Sequence, residues 1–382
     1  MNCIYLDNAA TTRLDKRVLD SMLPFLQEYY GNPSGIYRMG REARSAVEYA
    51  RQQAADALNC KPSEIFFTSG GTESNNWACI CGAQAGLRKG KHIITSEIEH
   101  PAVLKCFEQL SFNGFETTYL QVNRQGMVDV DLLREVIQKD TGFISIMMAN
   151  NEIGTLQPVK EIACVTNAQG ILSHTDAVQA FGSIPIDLQN LKVDLLSLSA
   201  HKFYGPKGVG LLYIRENTKI DPFHLGGEQE RGRRAGTENV AGIVGMGMAM
   251  QLANENLQKN STKIIKLRTL LIDRVMQSIP GAHLNGSPVA RLGNNAHFVF
   301  DGVPSAVLLP LLDQNGIAAS AGSACMAGTT MPSHVLRAIG YTEEEAQNGI
   351  RLTLSFLTTE REILETVDIL ARLVSHIRRF YD

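Results

Sequence analysis

No stretch of this 382-residue chain stays apolar for the ~18–20 residues that a membrane-spanning helix needs. No charge of one sign dominates: 36 Lys and Arg face 39 Asp and Glu, so neither a nucleic acid nor an anionic membrane is expected as main partner. The opening residues, MNCIYLDNAATTRLD, lack a basic segment followed by an apolar one, and no secretory signal is expected. The cysteines form no framework. There are seven, at 3, 60, 79, 81, 106, 164 and 325, odd in number and scattered, which suits free thiols in a reducing, cytoplasmic setting. Cys79 and Cys81 have no second close pair to complete a zinc site and read as helix packing residues. Repeats and low-complexity tracts are also missing.

What is present is an alternation. EIFFTS (64–69), HIITSE (92–97), FISIMMA (143–149), ILSHTDA (171–177), VDLLSLSA (193–200) and GVGLLYI (208–214) read as short apolar strands. Helical patterns such as 42–58 lie between several of them. Near-continuous apolar strands separated by helices predict a parallel sheet covered on both faces, with its ligand site at the carboxyl ends of the strands. A long helical run, 239–278, follows. Strands at 297–303 and 350–357 and helices near 305–315 and from 360 then suggest a smaller α+β unit. Thr359 and Glu362 fit a capping box for the last helix. The expected division is 16–258 as a large domain, with 1–15 and 259–382 forming a small one.

Several residues look chemical. FFTSGGTESNN (66–76) is a strand, a Ser-Gly-Gly turn and a helix start, which suits an anion; a plain helix cap at Thr72 is the alternative. No Gly-Lys-Ser/Thr follows, so it is not a nucleotide loop. Asp176 sits in an apolar strand, either as a surface strand end or as a buried carboxylate facing a cation, with Gln179 as a neighbouring donor. Lys202 follows an apolar strand at the ligand-binding edge, where a lysine can be desolvated as a Schiff-base amine requires; Lys207 reads as solvated. His100 precedes Pro101, which can open a helix. In IRLTLSF (350–356), Arg351 falls on the polar face of an alternating strand, where arginine is usually solvated but is also suited to gripping a carboxylate. Cys325 lies in AGSACMAGTT (321–330), among residues too small to bury it deeply.

Taken together, YLDNAATT (5–12), GNPS (31–34), FTSGGTESNN (67–76), EHPAVL (99–104), NNEIGTLQP (150–158), HTDAVQ (174–179), SAHKFYGPKG (199–208), ERGRRAGTEN (230–239) and GSACMAG (322–328) resemble the cysteine desulfurases of the NifS/IscS type, in the class V aminotransferase group. The resemblance runs from residue 5 to about 375. It implies an α/β fold of the fold-type I kind, with pyridoxal 5′-phosphate as cofactor. Lys202 would hold the cofactor through its amine, Asp176 would pair with the ring nitrogen and Gln179 would donate to the ring's phenolic oxygen. His100 would stack on the ring and move protons. Gly71, Thr72, Ser199 and His201 would bind the phosphate. Thr237 would reach the phosphate of a neighbouring subunit, which implies a homodimer. Asn151, Arg351 and Asn32 would bind the substrate's carboxylate.

The resemblance also gives Cys325 a role. It would attack the sulfur of L-cysteine, keep that sulfur as a persulfide on an exposed, mobile loop (about 321–333) and pass it to an acceptor protein, releasing L-alanine. Pro332 follows seven positions after Cys325, which is similar to the long-loop members and favours L-cysteine over selenocysteine. Met326 and Ala327 replace the small hydroxyl residues common after the nucleophile, and Arg13 stands where proline is frequent. Two rivals are an aminotransferase of a small amino acid, which leaves Cys325 without use, and a non-catalytic cofactor-binding partner, which would not need Lys202 and His100.

Overall fold

The computed structural model describes residues 3–322 and 332–381. Seven strands form the main sheet: β2 (Ile65–Thr68), β3 (His92–Ser96), β4 (Glu116–Leu120), β5 (Thr141–Ser145), β6 (Leu172–Asp176), β7 (Leu195–Ser199) and β8 (Gly210–Ile214). Their order is β2-β8-β7-β6-β5-β3-β4. β3 through β7 pair in parallel, and β2, β3, β5, β7 and β8 are buried at every residue, as apolar strands between two helical layers should be. β8 departs from the expected parallel pattern and runs antiparallel to both β7 and β2. The cause is the length of its connection. Residues 200–209 are too few for a crossover helix, which takes about a dozen residues, so the chain can only turn back.

The helix Val240–Ser278 spans 39 residues. Its first part, from Ala241 to Met250, is buried with the main core; Leu267, Leu271 and Val275 are buried in a second one. None of its residues between 251 and 266 is buried. The second core is built on β9 (Ala282–Leu284), β10 (Asn295–Phe300) and β12 (Gly349–Thr353), an antiparallel sheet in the order β12-β10-β9. The closing helix Glu360–Tyr381 lays Ile363, Val367, Leu370, Val374 and Ile377 against it. Its capping box is present: Glu362 accepts from Thr359 N (2.8 Å), and Thr359 Oγ1 accepts from Glu362 N (3.3 Å).

Two very short strands complete this lobe. β1 (Ile4–Tyr5) pairs in parallel with β11 (Ile317–Ala318). The chain then bridges from Asp7 to Thr353, and Ser320 bridges to Arg351. These segments run along the edge of β12, and on the side that alternation marked as polar Arg351 is held by Asn151 and Asp7. Arg351 is therefore 1% exposed, which corrects the solvated alternative. Among the described residues no helix is long and apolar enough to cross a membrane.

Candidate active site

The Ser-Gly-Gly turn leads from β2 into the helix Gly71–Gly86. The N-cap position is Gly70, with no side-chain cap, so Thr72 is not the plain cap that one reading of the sequence allowed. The turn is pressed onto the sheet: a Cβ at Gly210, the first residue of β8, would lie 2.6 Å from the Gly70 backbone. A Cβ added at Gly71 would meet Val178 at 2.9 Å and Ser199 at 3.3 Å. Arg234 fixes the same helix start. It forms two bonds to Glu73 (2.8 and 3.0 Å), while Glu73 accepts from Ser69 N at 2.8 Å.

A cavity of about 180 Å³ opens where β6 and β7 end. Gly71, Thr72, His100, Asn151, Asp176, Gln179, Ser199, His201, Lys202 and Arg351 all line it. Asp176 is 5% exposed; its Oδ2 accepts from Asn75 Nδ2 (2.6 Å) and its Oδ1 from Val178 N (2.9 Å). Those donors hold the carboxyl group in place. Lys202 ends a short 3₁₀ turn after β7, and its Nζ donates to the carbonyls of Ala9 (2.6 Å) and Ala10 (2.8 Å). Gln179 Nε2 donates to the same Ala9 carbonyl at 2.9 Å. The Asn-Ala-Ala segment thus forms the floor beside the lysine, clamped to β12 through Asn8 Nδ2 to Thr353 O (2.7 Å) and Ala9 N to Thr353 Oγ1 (2.8 Å).

His100 is the N-cap of the helix Pro101–Phe112, as the His-Pro pair suggested. Its Nδ1 accepts from Ala102 N at 3.1 Å. Burial lowers its pKa, with Asp176 opposing the shift and Lys202 adding to it. A neutral ring that accepts at Nδ1 carries its proton on Nε2, the one nitrogen left for exchange. His201, bonded to Thr11 Oγ1 at 3.1 Å, is pushed down to about 4 by burial and then by Lys202 and Lys207. Next to His100, the Glu99 carboxyl is pushed up to about 8 by burial; Ser96 Oγ and Met147 N donate to its Oε1 while Oε2 has no partner.

At the far end Arg351 donates from Nη1 to Asn151 O (2.8 Å) and from Nη2 to Asp7 Oδ1 (2.9 Å). Among the described residues its Nε has no partner, nor has Asn75 Oδ1. Asn32 and Thr237 are exposed and do not line this cavity; Asn32 Oδ1 instead accepts from Ser34 N at 2.9 Å. Cys325 lies outside the described residues. Sequence reasoning missed Asp7, Ala9, Ala10 and Asn75. The signal was available in YLDNAATT and FTSGGTESNN, which were noticed as motifs but given no role at these positions. A larger cavity of about 440 Å³ also touches Lys202 but includes neither Asp176, His100 nor Arg351, so the chemistry belongs to the smaller one.

These residues fit pyridoxal 5′-phosphate. A buried carboxylate suits a protonated ring nitrogen, a glycine turn at a helix start suits a phosphate, and a strand-end amine lies between them. Arg351 lines the cavity and has a buried Nε without a partner among the described residues, which suits the grip of an amino acid's carboxylate. Fold and site together define a pyridoxal phosphate enzyme. The sequence profile of the aminotransferase class-V family matches residues 4–365, and the chain belongs to that family. Two relatives called "Cysteine desulfurase IscS" are similar over nearly the whole chain. The one from Methanosarcina thermophila is 50% identical over 375 residues, covering 98% of this chain and 93% of the relative. That from Dictyoglomus turgidum (strain DSM 6724 / Z-1310) is 51% identical, covering 98% and 95%. A solved structure called "NIFS-LIKE PROTEIN" superposes with a TM-score of 0.92 at 41% identity, over 98% of this chain and all of its own.

Proposed function

We propose that the chain is a pyridoxal phosphate-dependent cysteine desulfurase that converts L-cysteine to L-alanine and hands the sulfur, through a persulfide on Cys325, to an acceptor protein. The observation that carries this reading is the Arg351 guanidinium, buried in the same cavity as Lys202 and Asp176 and with one nitrogen unpartnered. It supplies the grip for an amino acid's carboxylate. The bound cofactor supplies an electron sink for the charge left at the substrate's Cα. Asp176 keeps the ring nitrogen protonated, and Gly71, Thr72, Ser199 and His201 hold the phosphate. Arg351 and Asn151 orient the substrate. Lys202 Nζ, placed by the Ala9 and Ala10 carbonyls, takes the Cα proton, and His100 Nε2 serves as the neighbouring proton carrier. The Cys325 thiolate then attacks the substrate sulfur: an S–S bond forms, the C–S bond breaks, and reprotonation completes alanine.

The functional unit in this reading is a homodimer. Leu19, Leu23, Leu26, Tyr30, Ile36 and Leu225 are exposed, an apolar set in the same stretches of chain that carry Asn32 and lead to Thr237. A second copy covering this surface would bring Thr237 to the partner's phosphate and Asn32 nearer a substrate. The large lobe 16–258 then holds the cofactor, and residues 1–15 with 259–382 complete the substrate side. The free thiols at 3, 60, 79, 81, 106 and 164 suit the reducing cytoplasm.

Single-turnover reaction with L-cysteine tests the mechanism. Cys325→Ser should bind cofactor and substrate yet release no alanine and carry no persulfide. Undiminished alanine release would replace this reading with a lyase or an aminotransferase that makes no use of the cysteine.

A further inference from the structure

Arg351 is not free to give its whole charge to a substrate. Asp7 Oδ1 accepts from its Nη2 at 2.9 Å, and the same oxygen accepts from Ser320 Oγ at 2.9 Å. The Asp7 backbone is also held by its bridge to Thr353, two residues beyond Arg351 on β12, which keeps its carboxyl group beside the guanidinium. The edge of the guanidinium that contains the unpartnered nitrogen is Nε–Nη2. A carboxylate that takes this edge bidentately must share Nη2 with Asp7. Two negative groups then converge on one buried cation that is 1% exposed, where screening by water is weak.

We propose that Asp7 is a positioning residue with a second effect: it aims Arg351 into the cavity and, by like-charge repulsion, loosens its hold on the amino acid's carboxylate. Substrate binding is weakened, and so is retention of the product, which bears the same carboxylate. The proposal rests on the reading of Arg351 as the carboxylate site.

The two effects can be separated because asparagine keeps an acceptor oxygen for both Ser320 Oγ and Arg351 Nη2 but carries no charge. The measurement is the dissociation constant of the holoenzyme for L-alanine, read from the absorbance of the bound cofactor, together with KM and kcat for L-cysteine. Asp7→Asn should bind L-alanine at least threefold more tightly and lower KM. Asp7→Ala, which also loses the aim, should bind it more weakly. Ser320→Ala removes the hydroxyl donor that partly offsets Asp7's charge and should weaken binding about twofold. It serves as the test by itself if Asp7→Asn does not fold. A merely structural Asp7 would never tighten binding on replacement. Unchanged or weaker L-alanine binding in folded Asp7→Asn overturns the proposal, as does unchanged binding in Ser320→Ala. Arg351→Lys tells the two failures apart. If it leaves L-alanine binding intact, the carboxylate reading falls and this proposal with it; if it weakens binding while Asp7→Asn does not tighten it, only the proposal falls.

Discussion

Two buried arginines show how one residue type serves opposite ends. Arg51 is 3% exposed and engaged at every nitrogen: Nη1 and Nη2 bind both oxygens of Glu230 at 2.8 Å, Nη1 also donates to Ile65 O, and Nε bonds to Glu48. It stacks 5.0 Å from the Phe67 ring, and its partner Glu230 accepts in addition from Phe67 N. Arg351 is equally buried but keeps Nε unpartnered and shares Asp7 with Ser320. A buried cation with every nitrogen engaged fixes structure. One with a nitrogen left over, in a residue that lines a cavity, leaves room for a ligand.

The sharpest way to break this comparison is to remove each arginine. Arg51→Ala strands the buried Glu230 carboxylate and should cost about 3–5 kcal/mol of stability in denaturant unfolding, with KM unchanged in the folded fraction. Arg351→Ala should do the reverse. It should lower kcat/KM for L-cysteine about a hundredfold, roughly 2.7 kcal/mol, with a much smaller loss of stability. Equal losses of stability in both would erase the distinction.

A comparable kinetic effect is expected on the opposite wall. His100→Gln should lower kcat on the order of a hundredfold while cofactor content stays constant, since the exchangeable Nε2 proton of His100 is lost. The smallest effect concerns pH. Glu99 is protonated more readily folded, at about 8, than unfolded, near its ordinary 4.5, so it erodes stability as pH rises through that window. His201, His174 and His297 are pushed down to about 4, 3 and 3, so they erode stability as pH falls below their ordinary 6.5. Glu99→Gln should remove the decline between its ordinary 4.5 and about 8 and leave the one the histidines cause as pH falls; unfolding midpoints measured across pH check this.

The cofactor wall was legible because its parts are local. Asp176, Lys202, His100 and the glycine turn each sit at the end of one strand or the start of one helix, where a short window shows both the apolar run and the polar residue that ends it. The substrate wall was less so. Asp7 and Arg351 are 344 positions apart, and β1 and β11 are two residues each, too short for any periodicity. Arg351 looked solvated because alternation reports which residues share a face, and what covers that face comes from elsewhere in the chain. β4 went unseen for a related reason: Glu116–Leu120 is an edge strand, mostly polar and partly exposed, without the apolar run that marked its neighbours. Asn32 and Thr237 do not line the cavity among the described residues, and no short window relates them to it.

The floor beside Lys202 has a consequence for how the enzyme comes into being. Ala9 and Ala10 hold the lysine amine, and the segment Asn8–Ala9 is clamped by Thr353, some 344 positions further along the chain. The helix and sheet that surround the cofactor can be assembled long before that residue is synthesised. The lysine's seat cannot. A chain synthesised only as far as the large lobe can thus fold that lobe and still lack a properly placed amine until Thr353 arrives.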